Sequence, residues 1–452
     1  MKRKTIITYG TYDMLHRGHL NLLKRAKALG DYLIVGVTDE NYDRSRGKLN
    51  VSQSTKQRVK AIKGLDFVDK VIIEKHKKQK AQDMQKYGVD IFAIGDDWVG
   101  AFDYLNRYTK VRYLPRTEGI SSTKLRKEQF STIKIGIVGL GHKAEDFIIE
   151  SSFVSNINVN RAYSTNSLAL KSFLKSNKTI RYGYTNYDKF LDSSINAVYI
   201  NTDSSTHYTL IEKALKAKKH VLCENPLALS ESDLKSLLKL AKKQDRLLLT
   251  ALKTAFLPAF NQLLKEVDKG IIGKVKKVKA SRTTLYKGLD YPDSFISQGA
   301  SAILGSYPSL LVYKILGEYK DIEFFEQKSP KKEYDISNLM VSRHKKGSIG
   351  VSDVSIEAKS EGDAIISGTK GYIYIPAPWW LTEKFYVRFE DTHKSYTFNY
   401  ELEGYGLRYM IAEFSTLIQR GKTSSKKLTS KDMQEINRVL FAFNQSRKND
   451  NN

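Results

Sequence analysis

The chain has 452 residues, roughly three times the length of a common domain, so two or three domains are expected and a single small module is excluded. Hydrophobic residues make up 41% and charged residues 27%, which fills ordinary cores and excludes a disordered tail or a fibrous repeat. With 75 basic and 49 acidic side chains the formal charge is +26, a balance that favours anionic partners. The excess is spread along the chain, and short clusters such as Lys75, Lys77, Lys78 and Lys80 read as solvated faces, so nucleic acid is not expected as a partner. A single cysteine, Cys223, excludes an intramolecular disulfide framework and a CxxC zinc site and suits a reducing cytoplasm. No apolar run approaches the roughly 18 residues that span a bilayer, so membrane insertion is not expected and a cytoplasmic location is.

In chain order, the first signal is a strand over Lys4 to Tyr9, a turn at Gly10 and a helical pattern from Leu20 to Leu29. Between them lies His16-Arg17-Gly18-His19. Histidines three apart on a first helical turn share a face, where free backbone N–H groups and the positive end of the dipole favour phosphate. Gly18 removes a side chain that would block a triphosphate. Lys48, in Arg46-Gly47-Lys48, and Arg58 on the next helix offer further cations. The apolar run Ile91 to Ile94 is followed by Gly95-Asp96-Asp97-Trp98, which places carboxylates beyond a strand end, where α/β sheets bind ligands. Arg116-Thr117-Glu118-Gly119-Ile120-Ser121-Ser122-Thr123 then brings a guanidinium, a glycine turn and three hydroxyls before a helix over Lys124 to Gln129, a second anion cradle. No side-chain cluster with metal-ligand spacing is present.

A second start follows the short joint Ser131-Thr132: a strand over Ile133 to Val138, then Gly139-Leu140-Gly141-His142-Lys143-Ala144 opening a helix. Gly139, Gly141 and Ala144 fit GxGxxG/A, in which close backbone approach to a dinucleotide pyrophosphate needs small residues. Strand-like runs at Val159 to Tyr163, Ala197 to Asn201, His220 to Cys223 and Leu247 to Leu252 alternate with helices and predict a parallel sheet. Beyond Gly273 the runs Val275 to Thr283, Ile349 to Ile356, Gly362 to Ser367, Tyr372 to Ile375 and Phe385 to Phe389 predict a largely antiparallel sheet. Helices over Leu407 to Gln419 and Lys431 to Asn444 complete the pattern. The expected architecture is α/β throughout: a Rossmann-like domain over 1–130, a dinucleotide-binding Rossmann domain over 131–255, and an α+β domain over 256–452 for substrate and oligomerisation.

The stretches TYGTYDMLHRGH (Thr8 to His19), GDDW (Gly95 to Trp98) and YLPRTEGISSTK (Tyr113 to Lys124) resemble the HxGH nucleotidyltransferases and, among them, the glycerol-3-phosphate cytidylyltransferases of teichoic-acid synthesis. Tyr12 stands where phenylalanine is usual. The resemblance implies that Thr11, His16, His19, Lys48, Arg116, Ser121, Ser122 and Thr123 hold the phosphates of CTP. Tyr12, Gly18 and Asp96 belong to the same nucleotide site, and Mg2+ accompanies the CTP. A polyol phosphate is the expected acceptor, with ethanolamine phosphate or a pentitol phosphate as alternatives.

GIVGLGHKA (Gly136 to Ala144), AVYINTDSSTHY (Ala197 to Tyr208), HVLCENPLA (His220 to Ala228) and GIIGKVKKVKAS (Gly270 to Ser281) resemble the Gfo/Idh/MocA oxidoreductases. The family's Glu-Lys-Pro reads Glu224-Asn225-Pro226 here, and its usual aspartate is Ile303, while Tyr307 is a proton donor that the family permits. Asparagine supplies no cation and isoleucine holds no proton, so two expectations stand side by side: an NAD(P)H-dependent reductase that supplies the polyol phosphate, or a degenerate dinucleotide-binding, regulatory or dimerising module. Cofactor contacts are expected from Ser164, Thr165, Glu224 and Asn225, with Lys143, Ser164 and Thr165 able to take a 2′-phosphate, so NADP and NAD both remain open. Lys253, Tyr307 and His207 are further polar candidates, Trp379-Trp380 reads as packing or a contact surface, and both resemblances imply a homodimer or homotetramer.

Overall fold

The computed structural model describes residues 3–49, 51–76, 78–115, 117, 122, 131–285, 298–330 and 334–450. The chain divides into two compact units, Met1–Ser131 and Thr132–Asn452. The helix expected over Lys124 to Gln129 lies outside the described residues.

In the first unit, strands β1 (Thr5–Gly10), β2 (Tyr32–Thr38), β3 (Lys70–Glu74), β4 (Ile91–Gly95) and β5 (Lys110–Leu114) form a parallel sheet in the order β3-β2-β1-β4-β5. Helices α1 (Arg17–Lys27), α2 (Glu40–Ser45), α3 (Thr55–Lys63) and α4 (Gln79–Lys86) lie between the strands in the chain. Successive residues of β1 serve opposite faces of the sheet. Ile6 packs with Leu23, Leu33 and Ile62, whereas Ile7 packs with Ile34, Met84 and Phe92. Both faces are therefore covered, as a parallel sheet requires. The strand order reverses between β1 and β4, which puts the ligand crevice beyond the carboxyl ends of these two strands.

α1 begins at Arg17, three residues before the apolar pattern at Leu20, because the His16 ring caps it: Nδ1 accepts the Gly18 N–H at 3.1 Å. A capping imidazole takes the role usually held by Ser, Thr, Asp or Asn. Lys24, Arg25 and Lys27 occupy the last turn, where cations complement the negative end of the dipole.

The second unit opens with β6 (Ile133–Val138), β7 (Ile157–Tyr163), β8 (Tyr182–Tyr184), β9 (Ala197–Ile200), β10 (His220–Cys223) and β11 (Leu248–Thr250), a parallel sheet in the order β11-β10-β9-β6-β7-β8. Its helices are α5 (His142–Ser151), α6 (Ser167–Ser176), α7 (Tyr187–Leu191), α8 (Ser204–Lys216) and α9 (Glu231–Lys243). α10 (Pro258–Asp268) precedes the second sheet in sequence, and α11 (Ala300–Leu304) and α12 (Ser306–Leu316) lie between its first two strands. That sheet comprises β12 (Val275–Thr283), β13 (Tyr319–Lys328), β14 (Asp335–His344), β15 (Ile349–Ser355), β16 (Ala364–Gly368), β17 (Gly371–Ile375), β18 (Lys384–Phe389) and β19 (Ser395–Asn399). Its order is β13-β14-β15-β12-β16-β17-β18-β19, antiparallel except where β12 meets β15.

The terminal helices are α13 (Leu407–Gln419) and α14 (Ser430–Asp450). A bidentate pair fastens α13 to α5: Arg408 Nη2 and Nε reach the two carboxylate oxygens of Glu150 at 2.9 and 3.0 Å, with both side chains buried. Such fork geometry fixes orientation as well as charge. The strands β13, β14 and β19 were not expected from the sequence. In β14 the buried face carries Ile336, Asn338, Met340, Ser342 and His344, a polar and apolar mixture that hides the period of two.

Candidate functional site

The loop from β1 to α1 is held in an unusual backbone shape. Tyr12 and Met14 both adopt the left-handed region, with φ of 53° and 52°, a conformation that non-glycine residues keep only where surroundings impose it. The Tyr12 ring folds back over Gly10, where an added Cβ would lie 2.8 Å from Tyr12 Cζ. The buried Asp13 carboxylate accepts the N–H groups of Ser52 and Gln53, each at 2.9 Å. In return the Met14 N–H donates to Gln53 Oε1 at 2.8 Å. These bonds tie the loop to the segment that leads into α3.

On this loop His16 and His19 stack with ring centroids 3.8 Å apart. Because His16 Nδ1 accepts from Gly18, the neutral ring carries its proton on Nε2. That atom faces Ser122 Oγ at 3.3 Å, and the hydroxyl in turn donates to the Asp13 carbonyl at 2.9 Å. Asn21 on α1 donates to Thr117 Oγ1 at 3.2 Å. The opening helix and the hydroxyl-rich stretch more than a hundred positions later therefore meet. His19 lies edge-on to the Tyr12 ring at 5.4 Å, and its buried Nδ1 has no partner among the described residues. Burial, with His16 and Lys48 nearby, pushes its pKa down to about 3. A neutral ring with an orphaned nitrogen beside a helix start fits an incoming polyphosphate.

Thr11, the residue after β1, donates its hydroxyl to Asp43 Oδ1 at 2.6 Å and accepts from Lys48 Nζ at 3.2 Å. Lys48 is otherwise exposed, and Asp96 is exposed just beyond β4. Arg58 corrects an expectation: it is not a cation for phosphate. Its guanidinium is fully buried, donating to the carbonyls of Thr11 and Thr38 at 2.7 and 2.8 Å and lying 3.2 Å from Asp43 Oδ2. Asp43, which also takes Arg46 Nη2 at 2.9 Å, escaped the sequence reading because its partners are scattered along the chain. Lys80 is likewise not on a solvated face. It is 4% exposed, ion-paired with Glu74 and set over the rings of Tyr9 and Phe102 at 4.8 and 5.3 Å. Arg116, Ser121 and Thr123 lie outside the described residues.

In the second unit, Gly139 has φ of 91° and an added Cβ there would meet Thr202 Cγ2 at 2.9 Å. Gly141, with φ of 133°, opens onto free space at the start of α5, and Ala144 is fully buried beneath it. Asn201 Nδ2 pins the carbonyls of Val138 and Gly139 at 3.0 and 3.2 Å. This is a cradle of backbone and open space that fits a dinucleotide pyrophosphate. Ser164 and Thr165 follow the end of β7, and Ser164 Oγ accepts the Asn166 N–H at 3.2 Å.

Glu224 and Asn225 follow β10. Burial disfavours the Glu224 charge, but Lys143 Nζ at 2.9 Å and the Tyr199 hydroxyl at 2.7 Å bring its pKa below the usual value. Lys143 is thus engaged by Glu224, which corrects its expected availability to a 2′-phosphate. Asn225 Oδ1 accepts from Thr250 Oγ1 at 3.3 Å. Lys253 Nζ donates to the Tyr405 carbonyl at 2.8 Å. Tyr307, in the first turn of α12, sits on the Arg282 guanidinium, whose carbon lies 4.6 Å from the ring centre, and burial raises its pKa. Ile303 lies one helix earlier, on α11. His207 is buried between the carbonyls of Pro226 and Thr202 at 2.7 and 3.0 Å, a structural position. Trp379 is packed, as expected, donating Nε1–H to the Ser281 carbonyl at 2.7 Å, whereas Trp380 stacks on Arg282 at 3.7 Å. Arg282 escaped the sequence reading, which gave only the strand over Val275 to Thr283 that carries it.

Family models match both units: "Cytidylyltransferase-like" over residues 7–128, and "Oxidoreductase family, NAD-binding Rossmann fold" over residues 133–252. Glycerol-3-phosphate cytidylyltransferase of Bacillus spizizenii is 48% identical over 128 residues, covering 28% of this chain and 98% of that protein. Trans-1,2-dihydrobenzene-1,2-diol dehydrogenase of Danio rerio is 24% identical over 285 residues, covering 60% of this chain and 83% of that protein. A 3-ketoreductase from Actinomadura kijaniata, solved with TDP-benzene and NADP, shares the fold with a TM-score of 0.60 at 19% identity, over 69% of this chain and 96% of its own.

Proposed function

We propose that this chain, which belongs to the cytidylyltransferase-like family through its first unit and to the Gfo/Idh/MocA oxidoreductase family through its second, makes CDP-glycerol from CTP and glycerol 3-phosphate. The observation that carries the reading is the junction of His16 Nε2 with Ser122 Oγ at 3.3 Å, at the crevice beyond β1 and β4. A phosphate oxygen of glycerol 3-phosphate attacks the α-phosphorus of CTP, the bond from that phosphorus to the bridging oxygen breaks, and pyrophosphate leaves. Negative charge grows on the equatorial oxygens. His16 and His19 offer imidazole donors, Lys48 offers an ammonium steadied by the Thr11 hydroxyl, and Arg116 joins them. Mg2+ enters with the triphosphate as part of the substrate.

In the second unit the Gly139 and Gly141 cradle would hold an NAD(P) pyrophosphate, and a reduced nicotinamide would supply hydride when bound. Tyr307 holds a proton for the carbonyl oxygen of the substrate, and this unit supplies the polyol phosphate by reduction. Asn225 in place of the lysine of the family favours a second reading, a dinucleotide-binding regulatory module that turns nothing over.

The test mixes the full chain with CTP, Mg2+ and a panel of polyol phosphates and identifies the product by mass. CDP-glycerol and pyrophosphate are expected. His16→Ala and His19→Ala each lower kcat by about 10²–10³, the cost of one missing transition-state donor; His16→Ala also removes the α1 cap, a stability loss of about 1 kcal/mol, and circular dichroism shows each variant to be folded. Near-wild-type turnover in either variant defeats the assignment.

A further inference from the structure

We propose that the Asp43 carboxylate is a positioning residue for cytidylyl transfer: it takes the one proton of the Thr11 hydroxyl and leaves that oxygen to seat the Lys48 ammonium against the triphosphate. This deepens the cytidylyltransferase reading above and rests on it. A threonine hydroxyl has one proton and two lone pairs, whereas an ammonium has donors only. Lys48 Nζ, 3.2 Å from Thr11 Oγ1, is therefore received by a lone pair, and the Thr11 proton points elsewhere. It points to Asp43 Oδ1 at 2.6 Å, the length of a hydrogen bond to an ionised oxygen. Asp43 has no proton to give back. Arg46 Nη2 donates to the same Oδ1 at 2.9 Å, and Arg58 Nη1 stands 3.2 Å from Oδ2, so both oxygens face guanidinium protons. Burial raises the Asp43 pKa, and Arg46, Arg58 and the Thr11 bond oppose that rise.

The same residue holds the backbone that carries Lys48. The Asp43 carbonyl accepts the N–H groups of Arg46 and Lys48 at 3.2 and 2.9 Å, and the Gly47 N–H donates to the Arg44 carbonyl at 3.1 Å. Gly47 closes this turn with φ of 74°, a value that glycine adopts at little cost. The chain is thereby wound back over the end of α2, and Lys48 Nζ comes to rest on the residue that follows β1. Thr11 opens the loop that carries His16 and His19, so one buried carboxylate refers the ammonium and the imidazoles to a common frame. With its proton committed to Asp43, the Thr11 hydroxyl has none for a phosphate oxygen, and its contribution to the nucleotide passes through Lys48. A threonine that donated to phosphate would contribute whether or not Lys48 were present. One that seats Lys48 contributes nothing once the ammonium is gone, and that difference is a coupling between the two positions.

The experiment measures binding of CTP with Mg2+ to the full chain by calorimetry, in the unaltered protein, Thr11→Val, Lys48→Met and the double variant. Thr11→Val is expected to weaken CTP about ten- to hundredfold, the value of a hydrogen bond to a charged group, and Lys48→Met at least as much. In the Lys48→Met background Thr11→Val costs less than about twofold. Thr11→Ser, which keeps the hydroxyl, retains most of the affinity. Asp43→Asn leaves the backbone turn its carbonyl but offers Thr11 an amide donor, which turns the hydroxyl proton toward Lys48. It should weaken CTP about tenfold when Lys48 is present and little when Lys48 is Met. Circular dichroism checks that each variant is folded, and if Asp43→Asn is not, the Thr11 and Lys48 cycle decides the matter. Losses that multiply in the double variant overturn the proposal, as does unchanged affinity in Lys48→Met. Multiplied losses in a protein that binds CTP defeat this proposal and leave the cytidylyltransferase reading intact, whereas no binding of CTP by the unaltered protein defeats both.

Discussion

Burial keeps His19 neutral, and the His16 ring, its centroid 3.8 Å away, and Lys48 add like-charge repulsion to the same effect. The folded His19 pKa of about 3 lies below the ordinary histidine value, so between about pH 3 and 6.5 the empty site binds fewer protons than a free imidazole does. A bound triphosphate adds an anion beside these like-charge neighbours, which favours the imidazolium and raises that pKa. Binding of CTP at pH 6 should therefore take up protons, and His19→Ala should diminish the uptake. Calorimetry in two buffers of different ionisation enthalpy reads the proton number directly, and zero uptake by the unaltered protein refutes the argument. His16 and His19 were legible in the sequence because three-residue spacing on one turn is a local fact. The role of Asp43 was not, since its partners Thr11, Arg46 and Arg58 gather only after folding.

At the level of elements, α3 is bolted to the carboxyl ends of β1 and β2 by one side chain. Arg58 reaches the Thr11 carbonyl on one side and the Thr38 carbonyl on the other, and both it and the neighbouring Asp43 are fully buried. Arg58→Met keeps most of the volume but leaves a buried carboxylate with one guanidinium fewer and two carbonyls unserved. Breaking a buried pair from one side costs about 3–5 kcal/mol, and denaturant unfolding of the variant should show a loss of that size. A change below about 1 kcal/mol would mean that Arg46 alone sustains Asp43. The same element logic explains what sequence patterning recovered. β12 and α13 show their periods plainly and were placed at their observed bounds, Val275–Thr283 and Leu407–Gln419. β14 buries Asn338, Ser342 and His344 along with its apolar residues, and β19 is mostly exposed, so neither offers an alternation to read.

Over the whole molecule, the division at Ser131 and Thr132 separates a unit built on one five-stranded sheet from a unit built on a six-stranded and an eight-stranded sheet. The first unit has apolar clusters on both faces of its five strands, one around Leu23, Leu33 and Ile62 and the other around Met84, Phe92 and Leu105. A domain of this length buries roughly two-thirds of its unfolded surface, enough to stand alone. The residues proposed to face the phosphates, His16, His19, Lys48 and Ser122, all belong to this unit, so on that proposal cytidylyl transfer needs no side chain from the remainder. A fragment of residues 1–131 should therefore fold and form CDP-glycerol with kcat/KM within about threefold of the full chain. Circular dichroism and a pyrophosphate-release assay check both halves of that statement. A folded fragment that has lost more than tenfold in kcat/KM would show that cytidylyl transfer depends on the second unit and would defeat the claim that the first stands alone.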